Sequence, residues 1–265
     1  MQRSFIRAFI VQLCRALFSP APRNTPVQPL RSFVALPVVF DLVSLAMQAI
    51  DYRRTQRIVK SYGVDDPHHR AVQDYNAGVT VAKTFTSTRR MDVLYKLLAF
   101  PPRALSAERI LIVGPRNRHE LIAAWVHGFA WRNIDAIDLF STHPKIRVMN
   151  MEAMTWPGET FDAVTMAYTL SYAEDTGKAI GEVARVLRSG GRFAFSVSYV
   201  PDGKRWKEST VTAGEIAHML HGSGFEIEFH QAGGKITSDG FRQASHLFVA
   251  RKIPPDEQRL DPFRL

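Results

Sequence analysis

The sequence predicts an α/β fold whose sheet is mainly parallel and is preceded by a helical N-terminal extension. The first observation is a strand–turn–helix–strand pattern from Arg109 to Asp138, in which a β-branched apolar run ends at Gly114-Pro115. The second is that strand and helix patterns alternate from there to about residue 252. The third is the short spacing of the last two strands, which allows a hairpin but no crossover helix, so one antiparallel strand is expected near the C-terminus.

Four segments are expected along the 265 residues, enough chain to bury a substantial core. They are a basic amphipathic helix with a Pro-rich linker at 1–31, a helical cap region at 32–107, an α/β domain at 108–253 and a C-terminal tail at 254–265. Strands are expected near 109–113, 134–139, 145–149, 161–167, 191–199, 224–230 and 244–251. Helices are expected near 91–100, 119–128, 176–188 and 212–221, and a buried helix is expected to start near Pro37.

Charge and cysteine content exclude several classes of site. The net charge is +9, but residues 1–40 hold five arginines and no acid, so over half of the excess lies in the N-terminal extension. A nucleic-acid partner is therefore unlikely, although the basic balance keeps an RNA-modifying enzyme as a weaker alternative. Cys14 is the only cysteine, which excludes an intrachain disulfide and favours a reducing, cytoplasmic location. The nine histidines have no metal-ligand spacing, so no metal site is expected.

The first helix, at residues 3–18, has an apolar face opposite its arginines. Three interpretations stay open: peripheral contact with an anionic membrane, organelle targeting, or packing against this chain or a partner. It is too short and too charged to span a bilayer. Residues 33–50 are the most apolar stretch, but Pro37 and Asp41 argue against a membrane span there as well.

The stretch at residues 149–198 carries the most specific landmarks. They are a polar residue before Met-Glu, a Pro-x-x-x-Phe-Asp turn, a strand, a loop after that strand, and an Arg-Val-Leu-Arg-x-Gly-Gly turn into the next strand. In the chain these are Asn150–Glu152, Pro157–Asp162, Phe161–Ala167, Tyr168–Asp175 and Arg185–Gly191. Their order resembles the class I S-adenosylmethionine-dependent methyltransferases, especially the small-molecule group, over about residues 108–252. The resemblance implies a Rossmann-like class I methyltransferase sheet and S-adenosyl-L-methionine as the cofactor.

The resemblance also implies roles for individual residues. Gly114 would form the tight turn after the first strand, where the cofactor approaches the backbone. Asp138 would accept hydrogen bonds from both ribose hydroxyls, and Asn150 and Met151 would contact the adenine. Ala167, with Tyr168 after it, would face the methyl group and the substrate.

The first motif departs from the family pattern of an acid followed by three alternate glycines. Ile112, Gly114, Arg116 and Arg118 stand at those positions. The residues that could compensate are Arg116, as a partner for the methionyl carboxylate, and Glu120, as a partner for the ammonium group.

Catalysis by methyl transfer requires mainly alignment of the acceptor, with proton removal where the acceptor needs it. Candidates for the catalytic group are Tyr168, Tyr172, Asp175 and His143. Residues 32–107, including Tyr75-Asn76, and the cationic segment at 201–210 are expected to set substrate choice. The sequence predicts a methyltransferase acting on an oxygen or nitrogen of a small molecule or glycan. The alternative is a non-catalytic methyltransferase-like binding or assembly protein, with or without membrane association; the oligomeric state is not predicted.

Overall fold

The computed structural model describes residues 28–55, 60–61, 67–82, 90–100, 104–141, 143–199, 211–236 and 242–254. The predicted helix at 3–18 and the cationic segment at 201–210 lie outside these residues, so both stay predictions. No helix in the described ranges is long and apolar enough to cross a membrane.

The N-terminal region is helical. Its elements are α1 (Gln28–Val34), α2 (Pro37–Thr55), a two-residue strand β1 (Lys60–Ser61), α3 (Pro67–Ala82) and α4 (Asp92–Leu98). Helix α2 begins at Pro37 as the sequence predicts, because proline fits the first helical position, where no intrahelical N–H bond is required. Helix α3 falls within the predicted helical cap region, in a stretch where the sequence predicted no individual helix.

The remaining chain alternates strands and helices. The elements are β2 (Ile110–Val113), α5 (Arg118–Val126), β3 (Ile134–Asp138), β4 (Phe140–Ser141), β5 (Ile146–Val148), β6 (Phe161–Ala167), α6 (Thr176–Val186), β7 (Leu187–Tyr199), α7 (Ala213–Gly222), β8 (Phe225–Ile236) and β9 (Arg242–Lys252). Strand β7 begins four residues before the predicted start, and β8 extends six residues beyond its predicted end.

Seven strands form one sheet in the order β5-β3-β2-β6-β7-β9-β8. All neighbouring pairs are parallel except the two that β9 makes with β7 and β8. The predicted single antiparallel strand is confirmed, and it lies one position in from the sheet edge. The chain runs from β2 outward to β3 and β5 and then returns to β6 on the other side of β2. This reversal opens a crevice at the carboxyl ends of β2 and β6, the position where open α/β sheets bind ligands.

Both faces of the sheet are covered, as the continuous apolar run of β2 predicts. Leu111 and Val113 belong to a core that includes residues of α6 and α7. Ile110 and Ile112 point to the opposite face and share a core with residues of α4 and α5. All four of these β2 side chains are almost completely buried.

Contacts with the sheet domain position the N-terminal helices. Arg31 of α1 donates to the carbonyl oxygens of Gly128 (2.9 Å) and Phe129 (3.1 Å). Strand β1 pairs antiparallel with β4, and Tyr95 of α4 is fully buried against the sheet domain. These contacts hold the helical region against the sheet domain, with β1 beside β4, just after the carboxyl end of β3.

Candidate functional site

A cavity lies at the carboxyl ends of the central strands. Seven of the residues that the sequence proposed for cofactor binding or catalysis line it: Gly114, Arg116, Asp138, Asn150, Met151, Tyr168 and Tyr172. The other lining residues are Val72, Tyr75, Asn76, Arg90, Val113, Leu139, Phe140, Met149, Glu152 and Thr169. The cavity therefore combines the strand-end positions with side chains from the N-terminal helices.

Gly114 forms the turn at the end of β2. Its φ angle is +70°, a region that favours glycine, and its N–H donates to the carbonyl oxygen of Ile137 (2.8 Å). A Cβ at this position would overlap the side chain of Thr169, which follows β6. Glycine is required here by both the backbone angle and the close approach of the neighbouring loop.

Asp138, the last residue of β3, also lines the cavity, and it follows Ile137, whose carbonyl oxygen accepts from the N–H of Gly114. Burial raises the pKa of Asp138 to about 7, although the N–H groups of Leu139 and Phe140 and the charge of Arg90 favour its ionised form. The side chain is partly exposed to the cavity but shielded from bulk water. A ligand that donates hydrogen bonds to this carboxylate would replace the hydration that it lacks.

The loop after β5 carries the predicted adenine contacts. The side-chain oxygen of Asn150 accepts from the N–H of Glu152 (2.9 Å), which fixes the loop as an Asx turn. The buried carboxylate of Glu152 accepts from the N–H groups of Glu174 (2.7 Å) and Asp175 (3.3 Å). These bonds tie the loop to the segment that follows β6.

Arg185 of α6 also holds this loop in place. Its guanidinium donates to the carbonyl oxygens of Trp156 (2.7 Å) and Met154 (2.8 Å). It also pairs with Glu182, which accepts from the N–H of Met154 (2.7 Å). Arg185 was recognised in the sequence only as part of a landmark, and the structure gives it this positioning role.

Three tyrosine rings border the cavity. Tyr168 has a φ angle of +59°, is 37% exposed, and donates its N–H to the carbonyl oxygen of Ser196 (2.8 Å). A non-glycine residue in this region of φ is a local strain that often marks a functional segment. The ring centroids of Tyr172 and Tyr75 are 6.5 Å apart.

Four predicted site residues do not line the cavity in the part of the chain that the structure describes: Glu120, Ala167, Asp175 and His143. Glu120 is 1% exposed and lies beside the cavity. Ala167 presents its carbonyl oxygen to Arg90 (2.6 Å), and Asp175 is the N-cap of α6, where it accepts from the N–H of Lys178 (2.9 Å). His143 accepts from the N–H of Lys145 (3.1 Å) through Nδ1.

The family described as a methyltransferase domain matches residues 129–195, which include β3 with Asp138, the Asn150 loop and β6. This stretch of the chain therefore matches a methyltransferase domain, and it lies within the α/β sheet domain. The strand order and the single antiparallel strand agree with this assignment and confirm the predicted fold class. S-adenosylmethionine is the cofactor of this domain class.

Two curated relatives are similar to part of the chain. One is a ubiquinone/menaquinone biosynthesis C-methyltransferase of Marinomonas sp., 44% identical over 111 residues, or 42% of this chain and 39% of the relative. The other, with the same description, is from Hydrogenovibrio crunogenus and is 42% identical over 118 residues, or 44% of this chain and 42% of the relative. The chain thus spans about two fifths of the length of each of these relatives.

The fold has solved counterparts. N-methyltransferase NodS from Bradyrhizobium japonicum, in complex with S-adenosyl-L-homocysteine, superposes with a TM-score of 0.51 and 16% sequence identity. The match covers 71% of this chain and 99% of NodS. At this identity the likeness describes the fold of the methyltransferase domain.

The donor set of the cavity fits an adenosyl amino-acid ligand. A poorly hydrated carboxylate at Asp138 suits a pair of hydroxyl donors, and Arg116, which also lines the cavity, suits a carboxylate. Burial and the neighbouring charge of Arg90 lower the pKa of Arg116, so an anion near both groups would stabilise its charged form. No group of three or more metal-ligating side chains occurs in the described ranges.

Sequence reasoning missed one charged residue of the cavity wall, Arg90. It precedes α4 and reaches the ends of β2 and β6 only because α4 packs on the sheet domain. The signal available in the sequence was indirect: Glu120, a lone acid in an arginine-rich first motif, needed a partner if buried.

Proposed function

We propose that the protein is an S-adenosylmethionine-dependent methyltransferase that acts on a small molecule. The observation that carries this proposal is the convergence of Gly114, Asp138, Asn150 and Met151 on one cavity at the carboxyl ends of β2, β3 and β5. The family resemblance assigns these positions to cofactor binding, and the reversal of strand order supports that assignment by creating the crevice that they share.

In this proposal the cavity residues bind different parts of the cofactor. Asp138 accepts the two ribose hydroxyls, which a single carboxylate can do at once. Met151 and Asn150, held by the Asx turn and by Arg185, border the adenine. Arg116 receives the ligand carboxylate in a charge-assisted hydrogen bond. The bound cofactor supplies a methyl group already activated by its sulfonium.

The remaining work is to align the acceptor and to exclude water. Tyr168 and Tyr172 lie on the cavity wall, where their hydroxyl groups can orient an acceptor and their rings can cover it. Tyr75 extends this aromatic wall from α3. A flat, ring-containing acceptor fits three aromatic side chains better than a glycan does.

The acceptor atom that we favour is therefore a ring carbon or a ring substituent of a small aromatic molecule. The names of the two curated relatives support carbon as the atom that accepts the methyl group. The sequence alone predicted an oxygen or nitrogen of a small molecule or glycan instead. A transfer assay with labelled cofactor and a panel of benzoquinols, naphthoquinols, phenols and sugars distinguishes them. Labelling of sugars alone would contradict the aromatic acceptor.

Calorimetry on the full chain tests the cofactor assignment first. S-adenosylmethionine and S-adenosylhomocysteine should both bind, and Asp138→Ala should weaken each by about 10- to 100-fold, the loss expected for hydrogen bonds to a charged group. Asp135→Ala is the matched control, because Asp135 lies on the same strand but pairs with Arg109 (2.8 Å). Absence of binding by the wild-type chain would refute the assignment.

The arginines at positions 116 and 118 of the first motif keep a second candidate, a methyltransferase-like binding protein without activity. Tight binding of S-adenosylhomocysteine with no transfer to any acceptor in the panel would favour it. The predicted peripheral membrane contact through residues 3–18 and the cytoplasmic location stay predictions.

A further inference from the structure

Arg90 closes one corner of the cavity from outside the sheet. Its Nη1 donates to the carbonyl oxygen of Ala167 at the end of β6 (2.6 Å). Its Nη2 donates to the carbonyl oxygen of Gly114 at the end of β2 (2.9 Å). The guanidinium therefore bridges the two strand ends between which the crevice opens.

The same guanidinium pairs with Glu120. Nε lies 2.7 Å from Oε1 and Nη2 lies 2.9 Å from Oε2, a two-point pair in which the Glu120 side chain is 1% exposed. Glu120 also accepts from the N–H of Arg116 (3.1 Å). Its carboxylate is thus committed to Arg90 and to the backbone.

One hydrogen-bond donor of Arg90 is still available to a ligand at this corner. A guanidinium has five N–H donors, and four of those in Arg90 are used by Glu120, Gly114 and Ala167. The second N–H of Nη1 has no acceptor among the residues that the structure describes, and Arg90 lines the cavity. The corner presents a donor, while the carbonyl oxygens of Gly114 and Ala167 and the carboxylate of Glu120 each already face the guanidinium of Arg90.

The charges around this corner also favour a ligand carboxylate over a ligand ammonium group. Arg90 and Glu120 cancel, and Arg116 on the cavity wall adds one positive charge. The other carboxylates that line the cavity are Asp138, where the ribose is assigned, and Glu152, which accepts from the N–H groups of Glu174 and Asp175. A ligand ammonium at the Arg90 corner would meet like charge, whereas a carboxylate would meet two guanidinium groups.

We propose, on the basis of the cofactor assignment above, that Arg90 determines ligand specificity by occupying the acceptors that an α-ammonium group would need. The site then recognises the α-carboxylate of the cofactor through Arg90 and Arg116 and gains almost no affinity from the α-ammonium group. Glu120 acts as a positioning residue that holds the Arg90 guanidinium in place, rather than as the ammonium partner expected from the sequence.

Four ligands test this inference on the full-length wild-type chain. They are S-adenosylhomocysteine, its analogue without the amino group, its analogue without the carboxylate, and 5′-methylthioadenosine, which lacks both. Loss of the carboxylate should weaken binding by about 10- to 100-fold, as removal of a hydrogen-bonded charged group does. Loss of the amino group should change the affinity by less than about threefold, because the acceptors at this corner already bind a guanidinium that repels an ammonium group.

Substitutions at these positions test which residues determine the order of the ligand affinities. Arg116→Gln should reduce the penalty for losing the carboxylate. Arg90→Ala combined with Glu120→Gln frees the carbonyl oxygens of Gly114 and Ala167 without leaving a buried charge, so the amino group should now strengthen binding. Arg132→Gln, an exposed change, is the charge-matched control and should leave all four affinities unchanged.

The outcomes separate this inference from the proposed function. If none of the four ligands binds the wild-type chain, the proposed function fails and the inference fails with it. If they bind but loss of the amino group costs more than about tenfold in the wild-type chain, the cofactor assignment stands and the role of Arg90 is refuted. Because this second readout uses only the wild-type chain, it does not depend on whether the double variant folds.

Discussion

Gly114 and Thr169 lie so close together that no β-carbon fits between them. Gly114 ends β2 and Thr169 follows β6, so this contact sets how closely the two loops at the ligand crevice approach each other. The carbonyl oxygen of Gly114 also accepts from Arg90 (2.9 Å). One glycine thus determines a turn, a packing distance and an anchoring point for the N-terminal region.

Gly114→Ala should destabilise the protein through both backbone strain and overlap. A non-glycine residue at positive φ costs about 1–2 kcal/mol, and forced repacking adds about 1–3 kcal/mol. Gly190→Ala is the matched control, because Gly190 has a φ of +75° but an alanine β-carbon there would meet no atom within 4 Å. Chemical denaturation should therefore show a larger loss of unfolding free energy for Gly114→Ala, and equal losses would remove the packing argument.

The sheet and the strand-end residues were predictable because they depend on local pattern. A four-residue apolar run with a following Gly-Pro gives β2 and its turn, and Asp138 is placed by being the last residue of β3. Parallel strands bring their carboxyl ends to one edge, so residues far apart in sequence converge without any knowledge of side-chain contacts.

Arg90 and helix α3 were not predictable in the same way. Arg90 precedes Gly114 by 24 residues, and its position depends on how α4 packs against β6 and β7. Helix α3 contains Gly78 and the adjacent β-branched Val79 and Thr80, which lower helix propensity, so tertiary packing decides its structure. Roles of Asp175 and Glu120 likewise depend on their hydrogen-bond partners, which spacing does not give.

Asp138→Asn should stabilise the ligand-free protein at high pH while weakening ligand binding. The folded-state pKa of Asp138 is about 7, above its usual value, so the unfolded chain loses this proton at lower pH. Stability is therefore lost as the pH rises from about 4 to about 7, and asparagine avoids a cost of up to about 4 kcal/mol. Thermal unfolding at about pH 5 and about pH 8 should show the larger gain at the higher pH, and equal gains at both would contradict the raised pKa.

The same carboxylate gives ligand binding its own pH dependence. If ionised Asp138 accepts the ribose hydroxyls, the affinity of the wild-type chain for S-adenosylhomocysteine should rise as the pH increases through about 7. Asp138→Asn should bind more weakly and lose this dependence. Calorimetry across this range measures both effects, and a pH-independent wild-type affinity would contradict the assignment.

Arg185→Lys should loosen the loop that carries Asn150 and Met151. Lysine cannot reproduce the planar set of hydrogen bonds to Trp156, Met154 and Glu182, and each bond lost costs roughly 1 kcal/mol. We expect a lower melting temperature and weaker cofactor binding with little change in kcat. Arg188→Lys is the control, since exposed Arg188 pairs with Asp162 (2.7 Å) and contacts the β5–β6 connection at Glu159, beyond Met154 and Trp156. Equal cofactor affinities in both variants would contradict the bracing role.

Substitution of Asp175 distinguishes a role as the N-cap of a helix from a role as a catalytic base. The Asp175 side chain accepts from the N–H of Lys178 at the start of α6, and serine performs this capping equally well without a carboxylate. Asp175→Ser should therefore keep both stability and kcat, whereas Asp175→Ala should lose about 1 kcal/mol of unfolding free energy. Tyr172→Phe, which removes a hydroxyl from the cavity wall, should lower kcat/KM with little effect on stability. A fall in kcat of about 100-fold or more in Asp175→Ser, the size expected for loss of a general base, would restore the catalytic role.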